Sequence, residues 1–110
     1  MTVEHLTKEN FEETVKNSEL PMIVDFWAGW CGPCVMLGPV FEALSEEYEG
    51  KLRFAKVDVD AERPIAAAFA ISGIPTLVMV YKGKEASRFS GFMPKEMLKE
   101  KLDSMLSALE

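Results

Sequence analysis

Phe26-Trp27-Ala28-Gly29-Trp30-Cys31-Gly32-Pro33-Cys34 decides how this chain is read. The stretch holds both cysteines of the sequence, separated by Gly32 and Pro33. It completes the nearly continuous apolar run Met22-Ile23-Val24-Asp25-Phe26-Trp27, which has the length of a central strand buried on both faces. A helix is predicted from Pro33 or Cys34, because proline is tolerated in a first turn, where its missing N–H is not needed. Cysteine reactivity then follows from position. A thiol attacks only as its thiolate, and the free N–H groups and dipole at a helix N-terminus stabilise an anion. Cys31 sits where that help is greatest. Cys34 falls on the same helical face, about 5–6 Å away between Cβ atoms, so a small adjustment closes a disulfide. The placement points to a pair that alternates between dithiol and disulfide.

Working outward, Val3 to Leu6 is predicted as a short strand, and Thr7 as the N-cap of a helix with Phe11 and Val15 on one face, ending at Asn17 and Ser18. The helix after the cysteines runs to about Tyr48, with Val40, Phe41, Leu44 and Tyr48 in register, a kink expected at Pro39 and Gly50 closing it. Arg53 to Val59 reads as a strand and Pro64 to Phe69 as a short helix started by proline. Ile71-Ser72-Gly73-Ile74-Pro75 breaks the pattern as a loop. Thr76 to Tyr81 and Ala86 to Ser90 form a predicted hairpin around Lys82-Gly83-Lys84. Leu98, Leu102, Met105, Leu106 and Leu109 make an apolar stripe on a final helix. This order predicts one α/β domain over residues 1–110. Its expected architecture is a mixed sheet of about five strands flanked by about four helices, a three-layer α/β/α sandwich.

Composition narrows the function classes. With 110 residues, 48% of them hydrophobic, the chain can bury a core without staples. Twelve basic against eighteen acidic residues give a net charge of −6, which argues against nucleic acid or an anionic membrane as partner. No run approaches the roughly 20 apolar residues of a membrane span. Met1 to Asn10 shows no basic region followed by an apolar run, so no secretory leader is visible in it. Together with the sparse cysteines, this places the chain in the cytoplasm by expectation. Ligand number argues against a metal reading unless two chains share an ion, since a structural zinc site needs four ligands and the sequence offers two cysteines and His5. A permanent staple would close too short a loop to constrain the unfolded chain much.

Trp30-Cys31-Gly32-Pro33-Cys34 after Val24-Asp25-Phe26-Trp27-Ala28, then Gly73-Ile74-Pro75-Thr76 and Ser90-Gly91-Phe92 in the same order, closely resembles the thioredoxin family over the whole chain. The resemblance implies a thioredoxin fold and a protein-disulfide reductase that carries electrons and contributes to cell redox homeostasis. Cys31 would be the attacking nucleophile and Cys34 the buried resolving thiol. Recycling would fall to a thioredoxin reductase, NADPH- or ferredoxin-linked, with disulfide-containing proteins as substrates, no cofactor or metal of its own, and a monomeric state. The Gly32-Pro33 spacer would tune the reduction potential, its proline resembling reducing rather than oxidising or isomerising members. A cis Ile74-Pro75 bond would face the cysteines, and Trp30, Ile74, Gly91 and Phe92 would surround Cys31 as an apolar docking rim.

Asp25 is the anomaly of its strand, since an unpaired buried carboxylate is costly. It is either a hydrogen-bonded or edge-facing aspartate, or a desolvated group whose raised pKa lets it take the proton of Cys34; the resemblance favours the latter. Lys56 is its natural counter-charge if the neighbouring strand lies alongside, and otherwise an ordinary exposed lysine. Trp27 is read as packing beneath the site, and Met22, Met36, Met79 and Met105 as core packing. Val35 and Gly29 depart from the family pattern, which commonly has lysine at the first position and an acidic residue or proline at the second. The change leaves the rim less electropositive.

Overall fold

The computed structural model describes residues 3–109; Met1, Thr2 and Glu110, part of the expected 1–110 unit, lie outside the described residues. The elements run β1 (Val3–His5), α1 (Phe11–Lys16), β2 (Met22–Trp27), α2 (Gly32–Glu47), β3 (Arg53–Asp58), α3 (Arg63–Ala68), β4 (Thr76–Tyr81), β5 (Lys84–Ser90) and α4 (Lys95–Ser107). They build one mixed five-stranded sheet of order β1-β3-β2-β4-β5. β3 pairs parallel with β1 and β2, while β2–β4 and β4–β5 are antiparallel.

Alternation along the strands assigns each side chain to a face. Ile23, Phe54, Leu77 and Met79 pack with Phe41, Leu44, Leu98 and Leu102 under α2 and α4. Met22, Val24, Phe26, Ala55, Val57, Val78 and Val80 take the opposite face with Ile65, Phe11 and Val15, under α1 and α3. Both faces of β2 are thereby covered, which explains its near-continuous apolar sequence. By the same alternation Asp25 and Lys56 belong to the face that α2 covers. They stand side by side, as register partners on parallel strands.

The structure corrects several expected boundaries. Asn10, not Thr7, precedes the first helix: its Oδ1 accepts from the Thr7 N–H at 2.8 Å, its Nδ2 donates to the His5 carbonyl, and the helix begins only at Phe11. β5 starts at Lys84, two residues earlier than expected, because Lys82 and Gly83 both take positive φ and form the tight two-residue turn that hairpins favour. Pro39 lies inside α2, as expected. Met22, Met79 and Met105 are buried as expected, but Met36 is 58% exposed on the outer side of α2, so it is not core packing.

Candidate active site

The end of β2 delivers the chain through Ala28 to Cys31, whose extended backbone makes it the N-cap of α2. Gly32 and Pro33 form the first exposed turn, and no acidic side chain lies there. Cys31 and Cys34 are joined in a disulfide. The Cys34 backbone N–H donates to Cys31 Sγ at 3.2 Å, one of the orphan donors of a helix start aimed at the outer sulfur. In the reduced protein that donor favours a thiolate on Cys31. Both sulfurs are largely buried, packed with Ala28 and partly with Trp27, Val59 and Ile74.

Across from the disulfide, the peptide between Ile74 and Pro75 is cis, and the Ile74 carbonyl oxygen lies 3.8 Å from Cys31 Sγ. The loop is tied on three sides. The buried Thr76 hydroxyl donates to the Gly73 carbonyl and lies 2.8 Å from the Ser90 hydroxyl, while the Gly91 N–H donates to the Pro75 carbonyl at 2.9 Å. Gly91 makes that approach with φ +101, a conformation that side-chain-bearing residues rarely adopt. Trp30 is 72% exposed, yet its Nε1 donates to Asp60 Oδ2 at 2.8 Å, so the ring is held in place while open to solvent. Trp30, Val59, Ile71, Gly73 and Ile74 line a shallow cavity of about 180 Å³. Phe92, half-buried like Ile74 and Gly91, differs from the rest of the expected rim in packing against the α2–α4 core.

Asp25 is fully buried, and neither carboxylate oxygen has a hydrogen-bond partner. Burial pushes its carboxyl up from the usual 3.8 to about 7, against the opposing pull of the Lys56 ammonium. Lys56 is half-buried, with Nζ 4.5 Å from the centre of the Trp27 ring. Among the described residues, no group of three or more His, Cys, Asp or Glu could hold a metal ion, and no helix is long and apolar enough to cross a membrane.

Asp58 and Asp60 were not singled out by sequence reasoning. Asp58 Oδ1 accepts the N–H groups of Asp60 and Ala61, shaping the turn that presents Asp60 to Trp30. The Asp-x-Asp spacing after a strand was a usable signal, since aspartate favours turns by bonding the backbone two residues on.

The thioredoxin family model matches residues 2–104. The chain belongs to the thioredoxin family. It is 44% identical over 97 residues to a thioredoxin of Chlorobaculum thiosulfatiphilum, covering 88% of this chain and 90% of that one. It is also similar to the thioredoxins of Porphyra purpurea, at 40% over 107 residues, and Staphylococcus haemolyticus, at 42% over 106, spanning 97% and 96% of this chain and all of each relative. Membership together with the Cys31–Cys34 disulfide makes it a dithiol–disulfide oxidoreductase that works by thiol–disulfide exchange and reduces disulfides. Thioredoxin-family proteins work with a thioredoxin reductase and with disulfide substrates.

Proposed function

We propose that Cys31 is the attacking thiol, Cys34 the resolving thiol and Asp25 the base between them. Cys31 thiolate attacks one sulfur of a substrate disulfide, forming a mixed disulfide and expelling the other substrate sulfur as thiolate. Asp25 carboxylate takes the Cys34 proton. Cys34 then attacks Cys31 Sγ, releases the second substrate thiol and leaves the Cys31–Cys34 disulfide, so two electrons have passed to the substrate. Return to the dithiol requires the reductase, NADPH- or ferredoxin-linked. The observation that carries this assignment is the Cys34 N–H aimed at Cys31 Sγ: it favours the thiolate on the outer cysteine and leaves Cys34 one turn deeper.

Asp25, poised near neutrality, is able both to accept and to release a proton under working conditions. Lys56 keeps its carboxylate form accessible. Gly32 and Pro33 begin the helix without adding charge and set the potential. Trp30, Ile74 and Gly91 form the surface that receives an extended substrate, with the buried Pro75 behind it and Phe92 supporting it from the core side. The exposed Val35 and Met36 continue that surface along α2 and favour apolar flanks over acidic ones. The chain acts as a single-domain monomer over residues 1–110, in the cytoplasm, a reading supported by its two cysteines and its net charge of −6.

Trapping tests the order of attack. With a protein disulfide, Cys34→Ser accumulates a mixed disulfide on Cys31, whereas Cys31→Ser forms none; the reverse pattern overturns the assignment. Equilibration of the parent against a thiol–disulfide buffer is expected to give a reducing potential near that of thioredoxin itself, about −270 mV, while about −180 to −120 mV would make it an isomerase or oxidant.

A further inference from the structure

Three groups where β2 and β3 run side by side have no ordinary partner. The Asp25 carboxylate is buried without a hydrogen bond, and the buried Trp27 Nε1 also has none. Among the described residues, no ion pair involves Lys56. What Lys56 does touch is the face of Trp27, with Nζ 4.5 Å from the ring centre. A Cβ built on Gly38 would lie 4.0 Å from that same Nζ, which places the ammonium in a crevice between the indole and α2.

We propose that Trp27 is a positioning residue for the proton-transfer step: its ring face holds the Lys56 ammonium beside Asp25. A lysine has a flexible four-carbon stem and a strongly hydrated head, so its attraction to a buried carboxylate competes with hydration and does not by itself fix the ammonium there. The negative face of an indole does keep it there. The register puts Asp25 and Lys56 opposite each other on the face that α2 covers, so the position of the ammonium decides how strongly it offsets the burial of Asp25. The unpaired Nε1 shows that the ring is used here through its face, not its N–H, so another aromatic ring can replace it.

The other groups around Asp25 leave this role to Lys56; His5, the register partner of Lys56, stands on β1, one strand further from Asp25. β3 adds Asp58, whose Oδ1 is turned to its own turn. α2 contributes Cys31 and Cys34 and carries no charged residue before Glu42. β4 offers Leu77, the register partner of Asp25, which does not titrate. α4 packs on this face through Leu98, Leu102 and Met105; its Lys95 and Lys99 pair with Glu47, Lys101 lies over Phe89 and Asp103 meets Tyr48.

The coupling of Trp27 to Asp25 stands on geometry alone, while its bearing on catalysis rests on Asp25 as the base. Carboxyl carbon NMR of the oxidised protein follows the Asp25 titration in the parent, Trp27→Leu, Trp27→Phe, Lys56→Gln and Trp27→Leu/Lys56→Gln. Releasing the ammonium removes a force that lowers the pKa, so Trp27→Leu is expected to raise the midpoint by about half a pH unit. Trp27→Phe recovers most of that shift, and Trp27→Leu adds nothing once Lys56 is glutamine. Equal shifts with and without Lys56, or none at all, overturn the proposal. The pH profile of mixed-disulfide resolution is expected to move with the titration; if it stays while the titration moves, Asp25 is not the base and the coupling survives. Should Trp27→Leu not fold, the parent decides the matter: the indole ring current shifts the Lys56 ε-methylene protons upfield, and unshifted resonances overturn the proposal.

Discussion

The two ends of α2 meet polar groups beneath and beside the helix in opposite ways. At its C-terminal end every prominent polar group is partnered: Glu47 bonds both Lys95 and Lys99, at 2.9 and 2.7 Å, and the Tyr48 hydroxyl donates to Asp103 Oδ1 at 2.6 Å. The Ser45 hydroxyl donates to the Glu42 carbonyl. These bonds dock α2 on α4. At the N-terminal end, Asp25 and the Trp27 N–H are buried without partners and the disulfide stands at the helix cap. One end is satisfied and holds the fold together; the other keeps its polar groups unsatisfied and therefore responsive to protons and electrons.

The largest expected effect tests the unsatisfied end. Well below pH 3.8 Asp25 is protonated in both folded and unfolded chains. Between there and about 7 the unfolded chain releases a proton that the folded one keeps, so stability falls as pH rises, and above 7 the penalty is complete. Asp25→Asn is therefore expected to stabilise the oxidised protein by about 4 kcal/mol near pH 8 and to match the parent near pH 3, as read by urea unfolding. The same variant slows mixed-disulfide resolution. Equal stability at both pH values would place a hidden partner on Asp25 and erase the contrast between the two ends.

A smaller effect tests the satisfied end. Tyr48→Phe removes one hydroxyl that bonds a surface carboxylate, and urea unfolding is expected to show a loss of about 1 kcal/mol with turnover unchanged. A change in the reduction potential of this variant would mean that the two ends communicate along α2. The smallest effect belongs to Glu47→Gln. Its bonds to Lys99 and Lys95 hold the carboxyl down at about 2, so the contribution is present above about 4.5 and lost as pH falls toward 2. Both lysines are well exposed, and solvent screening leaves little net stabilisation. The unfolding midpoint is expected to drop slightly at low salt and not at all at high salt.

The contrast also separates what could be read in the chain from what could not. Apolar runs marked β2 and β4, the stripe of Leu98, Leu102 and Met105 marked α4, and the cysteine spacing marked the helix start, because each depends on residues close in sequence. The same local logic misplaced the start of α1, where Asn10 takes over the turn assigned to Thr7. It also put Met36 in the core, because helical spacing alone does not tell which side of α2 meets the sheet.

By itself the sequence determined the order of elements, the redox pair at a helix cap and the family to which the chain belongs. Tertiary structure alone decided that Asp25 has no hydrogen-bond partner, that Lys56 rests on Trp27, and that Trp30 is held by Asp60. The reason is physical. Each of these facts depends on strand register and helix packing between residues some thirty or more positions apart, except the burial of Asp25, which depends on covering a whole sheet face. Local periodicity records which residues share a face, but not what stands opposite it.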